Sequence, residues 1–179
     1  YEQCIKALET GFSSIMYDGS HEPFDINYKN TKELVKLAKK YNASVEAEIG
    51  QIGGEEDGII SSGVIVSDVA EALKMKELGI DALAVGIGNI HGKYPEGWKS
   101  LDFNTLKKIN EACQMPLVLH GGSGIPSDQI KKSIQNGISK VNVNTELQVV
   151  NSIKDSRNRV SVKEGTLKIS RSVSYTHLR

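Results

Sequence analysis

Three stretches of the chain share one frame. GFSSIMY (Gly11 to Tyr17), GIDALAV (Gly79 to Val85) and GISKVNV (Gly137 to Val143) each open on glycine, an apolar residue and a small polar residue. Apolar positions then alternate at period two. A helix that stops at a left-handed C′ glycine and passes at once into a strand produces this pattern. SVEAEI (Ser44 to Ile49) and PLVLH (Pro116 to His120) add two strands to the series. Helical spacing fills the intervals. Glu2 to Glu9 reads as a helix, and Leu34, Val35, Leu37, Ala38 and Tyr41 as a second, with Asn30 and Glu33 placed like a capping box. Val69, Ala72 and Leu73 make another apolar face, and Leu106, Ile109 and Cys113 the next. Ile130 and Ile134 follow a start signal at Pro126 and Ser127. Strands alternating with helices, one unit in about 30 residues, call for a parallel α/β sheet.

An open doubly wound sheet and a closed (β/α)8 barrel both fit that alternation. The strand ends favour the barrel, whose chemistry gathers where the strands finish. The first strand ends at Asp18, the second at Glu48, and the third runs through GIGN to His91. The fourth ends at His120, the fifth at Asn142 and Asn144. GIGNIHG only partly mimics the dinucleotide fingerprint and lacks its acidic follow-up.

Composition removes other classes. Twenty-two basic and 22 acidic residues balance, so no basic field invites nucleic acid. No apolar stretch approaches the roughly 20 residues of a membrane span. Two cysteines, Cys4 and Cys113, make no disulfide framework or zinc ribbon and fit a reducing cytoplasm. The chain opens at Tyr1 inside a helical pattern, which is expected of an N-terminal truncation. VSYTHLR (Val173 to Arg179) resembles the translation of a transposon end used in preparing sequencing libraries and is expected to be a non-native tail.

A lone histidine ending a core strand is ordinarily a packing residue. His91 and His120 end consecutive strands, and neighbouring strands lie about 4.8 Å apart, so both rings can point at one ion. Two histidines, a third ligand and an open position make a catalytic zinc site. Asp18 and Glu48 each fit a helix cap or a lysine partner; beside the histidines they also fit a divalent metal. His21 reads as structural. In HGGSG, missing side chains let the amides of Gly121, Gly122 and Ser123 approach an anion, and NVNT adds Asn142, Asn144 and Thr145 one strand later. GQIGGEEDGIISSG (Gly50 to Gly63) reads as a long loop, either a solvated acidic run or a lid that delivers a general base.

DGSH, VEAEIGQIGGEEDG, GIGNIHGKYP, LVLHGGSGIP and KVNVNTE, in this order, resemble class II, metal-dependent ketose-bisphosphate aldolases. The resemblance covers residues 1–150. It implies a (β/α)8 barrel, a Zn2+ ion, and reversible cleavage of fructose 1,6-bisphosphate to dihydroxyacetone phosphate and glyceraldehyde 3-phosphate. His91 and His120 then match two of three zinc-binding histidines, and Asp18 and Glu48 an additional or alternative metal position. Gly92, Gly121, Gly122, Ser123, Asn142, Val143, Asn144 and Thr145 match positions that bind dihydroxyacetone phosphate. Glu56 matches a mobile-loop glutamate that moves the C3 proton. A second divalent ion, a monovalent cation near the phosphate, and a homodimeric or homotetrameric parent are also implied, with no nucleic-acid or membrane partner.

The departures from the family pattern are specific. Its Asp-His-Gly motif, which carries the first zinc histidine and the catalytic aspartate, is absent. The expected fold is therefore an incomplete barrel, strands 4 to 8 without strands 1 to 3, inactive alone. Residues 151–172 diverge from the family, and 173–179 are the expected tail. Rival readings are a tagatose-bisphosphate aldolase, a Schiff-base aldolase, and a non-catalytic phosphate-binding barrel. Lys140, the only lysine in the core strands, is placed by this reading at a strand start, away from the strand ends, which disfavours the imine chemistry.

Overall fold

Each strand of the main sheet is entered through a residue with left-handed backbone. Gly11, Gly79 and Gly137 supply it at the three repeated frames, with φ of 94°, 81° and 114°. Asn42 (φ 53°) and Gln114 (φ 48°) do so at the other two helix ends. The joints are thus alike in backbone and unlike in sequence, because asparagine and glutamine tolerate the conformation at some cost.

The computed structural model describes residues 1–56, 59–61 and 63–146. The segments 151–172 and 173–179, and with them the expected divergence and tail, lie outside the described residues. The elements are α1 (Glu2–Glu9), β1 (Ser14–Tyr17), α2 (Phe24–Lys40), β2 (Ser44–Ile49), β3 (Gly53–Glu56), β4 (Ile59–Ser61) and α3 (Val69–Glu77). They continue with β5 (Ala82–Val85), β6 (Ile90–His91), α4 (Phe103–Cys113), β7 (Leu117–Leu119), α5 (Ser127–Gln135) and β8 (Ile138–Val141). No described helix is long and apolar enough to cross a membrane.

The main sheet runs β1-β2-β5-β7-β8, every neighbouring pair parallel. Strand order follows chain order without reversal. Consecutive helices touch in the same sequence, α1 on α2, α2 on α3, α3 on α4 and α4 on α5. All five helices therefore cover one face. That is single winding, as in a TIM-barrel-like fold; a doubly wound sheet reverses its order midway.

Period two divides the strands between two environments. Val45, Ala47, Ile49, Leu83, Leu117 and Leu119 join the apolar core under the helices. The alternate residues, Glu46, Glu48, Ala82, Ala84, Val118 and Lys140, face the other side. The Lys140 Nζ lies 2.6 Å from Glu46 Oε2. These residues belong to β8 and β2, with β5 and β7 between them, a span of three strand spacings of about 4.8 Å each. Side chains standing upright on a flat sheet would not meet across that span. The sheet bows around this face, and Ala82, the register partner of Glu46, keeps the path low.

Three expectations change. Asn30 and Glu33 do not cap a helix. Helix α2 starts at Phe24, directly after Pro23, whose extended backbone (φ −53°, ψ 141°) sets the entry, so both residues are interior positions. Asn30 Nδ2 instead donates to the Tyr17 hydroxyl at 2.9 Å, and Glu33 accepts from the Tyr1 hydroxyl at 2.9 Å. Both bonds tie α2 to the elements around β1.

The second change concerns residues 50–63, which are not one long loop. β3 and β4 pair antiparallel, and β3 also pairs parallel with β6, giving a small second sheet in the order β4-β3-β6. Gln51 and Ile65 close its base with backbone bonds of 2.8 and 2.9 Å. The run of glycine and acidic residues hides these strands, because neither type favours a strand on its own. Third, Lys140 is the next-to-last residue of β8, not a residue at a strand start.

The left-handed joints give a direct test. Gly79→Ala should lower stability by about 1 kcal/mol through backbone strain, since the added methyl meets only Lys39 Nζ at 3.7 Å. Gln114→Gly should leave stability unchanged or raise it by up to about 1 kcal/mol. Urea unfolding of the unaltered chain and the two variants measures both effects. Equal losses in the two variants would contradict the assignment of strain to these joints.

Candidate functional site

The strand β7 is fully buried, and the residue after it, His120, turns its ring onto the bowed face. Its Nε2 lies 3.0 Å from Glu46 Oε1, and its Nδ1 lies 3.6 Å from Glu48 Oε2. Both carboxylates come from β2, two residues apart, so one strand presents them side by side. Glu46 is 6% exposed and Glu48 1%. Burial pushes the Glu46 carboxyl up, but hydrogen bonds from His120 and Lys140 and the Lys140 charge outweigh it, leaving the pKa below the ordinary value. Asn142 Nδ2 lies 3.3 Å from the same His120 nitrogen.

The third strand does not run through to His91: β5 stops at Val85. His91 ends β6 of the small sheet rather than a main-sheet strand beside β7, held in place by the pairing of Gly54 with His91 and Gly53 with Ile90. The His91 and His120 ring centroids are 6.1 Å apart, with 39° between the planes. The segment before His91 is tied to the backbone of His120. Asn89, fully buried, accepts from the Ile87 amide at 2.8 Å and donates to the His120 carbonyl at 2.9 Å. Tyr94 adds a second tie: its hydroxyl accepts from the Ile90 amide at 3.2 Å and donates to the Gly121 carbonyl at 2.8 Å. Gly121 has φ 64°, and a Cβ there would collide with the Ile90 carbonyl oxygen, so the close approach of the two loops requires glycine.

The anion niche is more occupied than the sequence suggests. The Gly122 amide donates to the Asn142 carbonyl at 2.9 Å, so it is engaged with the chain itself rather than aimed at a ligand. The close approach of the β7 and β8 ends engages this donor. The Gly124 amide donates to Glu146 Oε1 at 3.1 Å, and the Glu146 amide donates to the Ser123 hydroxyl at 3.3 Å. Val143, Asn144 and Thr145 follow β8 beside this loop, and Gly92 follows His91 with φ 81°.

Asp18 stands apart from the histidines in its bonding. It accepts from the Ser20 amide and hydroxyl at 2.9 and 2.6 Å, and its other oxygen is 3.8 Å from His21 Nε2. His21 Nδ1 is 3.2 Å from Gln51 Nε2, which fits its structural reading. The backbone of Glu56 ends β3, and its side chain lies outside the described residues. Two imidazoles with a neighbouring carboxylate have the donor chemistry of a zinc site. Among the described residues, however, no three His, Cys, Asp or Glu side chains gather closely enough to hold an ion. The fit is that of a partial donor set.

The sequence alone points to both histidines and Glu48 but leaves Glu46, Lys140, Asn89 and Tyr94 outside the site. Period two from Glu48 is the available signal for Glu46. Asn89 and Tyr94 act through backbone partners distant in sequence, which no local pattern encodes.

Tyr94 yields a pH prediction. Burial raises its pKa from 10.0 to about 12, partly offset by the Ile90 amide. Its contribution to stability is therefore intact below pH 10 and is lost as pH rises towards about 12, by up to roughly 3 kcal/mol. Tyr94→Phe should cost about 1–3 kcal/mol at neutral pH and remove this alkaline component. Urea midpoints measured across that range decide it, and parallel weakening of both proteins would refute the prediction.

A family model described as "Fructose-bisphosphate aldolase class-II" matches residues 1–174. Fructose-bisphosphate aldolase of Mycoplasma pneumoniae is 55% identical over 149 residues, covering 83% of this chain and 51% of the relative. That of Streptococcus pyogenes serotype M3 is 54% identical over 150 residues, with the same coverage. The chain thus spans about half the length of the curated relatives it matches. The crystal structure of the YdjI aldolase from Escherichia coli K12 aligns with a TM-score of 0.73 at 34% identity, covering 98% of this chain and 60% of that one. The matched span, the identities and the shared fold agree: the chain belongs to the class II fructose-bisphosphate aldolase family.

Proposed function

We propose that this chain supplies the metal-facing and phosphate-facing half of an enzyme that reversibly cleaves fructose 1,6-bisphosphate to dihydroxyacetone phosphate and glyceraldehyde 3-phosphate. The observation that carries the reading is the pair of histidine rings, 6.1 Å apart, beside the glycine loop. His91 and His120, with Asp18 and Glu48 at an additional or alternative metal position, would hold a zinc ion, which would supply Lewis acidity to the ketose carbonyl. The phosphate of the three-carbon fragment is held by the segment around Gly92, Gly121, Gly122, Ser123, Asn142, Val143, Asn144 and Thr145, which orients C3 and C4. Glu56 moves the C3 proton from the hairpin. The resemblance also implies a monovalent cation near the phosphate, which would balance its charge.

The five strands of the main sheet act as strands 4 to 8 of an eight-stranded barrel. The aspartate that takes the C4 hydroxyl proton, and a third histidine ligand, belong to the part of the relatives that this chain does not span. The Schiff-base reading loses support because the Lys140 ammonium is committed to Glu46 at 2.6 Å. The intact enzyme works in the cytoplasm as a homodimer or homotetramer.

Aldolase assays test the reading. In the complete protein, His120→Ala should lower kcat/KM by more than about 100-fold, beyond the loss typical of an outer partner, and a chelator should abolish turnover. The 179-residue chain alone should show no turnover with zinc added. Full activity in the His120 variant would rule out the metal role. Zinc-dependent cleavage by the chain alone would rule out the assignment of the base to the absent half.

A further inference from the structure

We infer that Glu46 and Lys140 form a positioning pair that fixes the tautomer of His120, placing the proton on Nε2 and leaving the Nδ1 lone pair for an ion. The inference deepens the reading of His120 as a metal ligand and rests on it. Charge comes first. Lys140 Nζ, 2.6 Å from Glu46 Oε2, is a cation with donors only, so it holds Glu46 as a carboxylate. A carboxylate only accepts. The His120 Nε2, 3.0 Å from Glu46 Oε1, must therefore donate and carries the proton. A neutral ring protonated there has its lone pair on Nδ1. That atom is 3.6 Å from Glu48 Oε2, beyond hydrogen-bond distance, on the side where a second carboxylate could share an ion.

Asn142 meets the same Nε2 at 3.3 Å through its amide end. A proton on Nε2 requires this amide, whose Nδ2 faces the ring, to be turned end for end so that its oxygen accepts, an exchange that leaves its shape unchanged. Lys140 has a further effect. Its charge balances Glu46, which would otherwise be a bare buried carboxylate within reach of any bound ion. A carboxylate behind a ligating imidazole orients the ring and strengthens it as a ligand. Both are positioning residues that act through His120.

Nitrogen NMR of the 179-residue chain with labelled histidine decides the matter, since two-bond proton couplings distinguish the two tautomers. A His120→Asn variant assigns the signals. In mildly alkaline buffer without metal, His120 should carry its proton on Nε2, and Glu46→Ala should convert it to a mixture of tautomers. Lys140→Met, at a half-exposed side chain, should shift it in the same direction should the Glu46 variant fail to fold. A proton on Nδ1 in the unaltered chain, or an unchanged pattern in both variants, overturns the inference. Zinc titration of the complete protein forms the second arm: Glu46→Ala should bind about 10–100-fold more weakly, and equal affinity overturns the pair's bearing on the metal. The expected tautomer with no zinc uptake by the complete protein would overturn the functional reading while leaving the tautomer assignment standing.

Discussion

One ion pair organises the bowed face of the sheet. Lys140 and Glu46 meet at 2.6 Å from strands separated by two others, and that contact is available only to a concave sheet. Curvature of this kind follows from parallel strands with helices on one side only. It turns a row of alternate residues into the wall of a hollow. Once the hollow exists, polar side chains from β2, β7 and β8 converge there without needing to be near one another in sequence. His120 then sits between Glu46 and Glu48 because period two places both carboxylates on the same wall.

The loops at the end of this face bond to one another. Asn89 joins the segment before His91 to the backbone of His120, and Tyr94 joins it to Gly121. The two histidines therefore form one mechanical unit although they are about 30 residues apart. The hairpin β3–β4 is attached to the same unit through the pairing of Gly54 with His91. A movement of that hairpin would be transmitted to the histidine strand, which links the acidic segment to the site by backbone bonds rather than by side chains.

Much of this is legible in the sequence, for physical reasons that also mark where legibility stops. The frame of glycine followed by period-two apolar residues locates β1, β5 and β8, because a left-handed helix end leaves a local signature. The same joint at Asn42 and Gln114 is invisible, since neither residue demands that conformation. The hairpin reads as a loop because its strands are stabilised by β6 and by each other, not by intrinsic preference. Asn30 and Glu33 imitate a cap while serving tertiary partners, which puts the expected start of α2 too late. Glu48 stands out at a strand end; Glu46, whose partners lie on other strands, does not.

The proposed chemistry requires His91 and His120 to share an ion at the mouth of this hollow. Anomalous diffraction at the zinc edge, from crystals of the protein grown with the metal, tests that requirement most directly. A single zinc peak within bonding distance of a nitrogen on each ring is the expected result. A peak bound elsewhere, or two rings turned away from any common metal position, would contradict it.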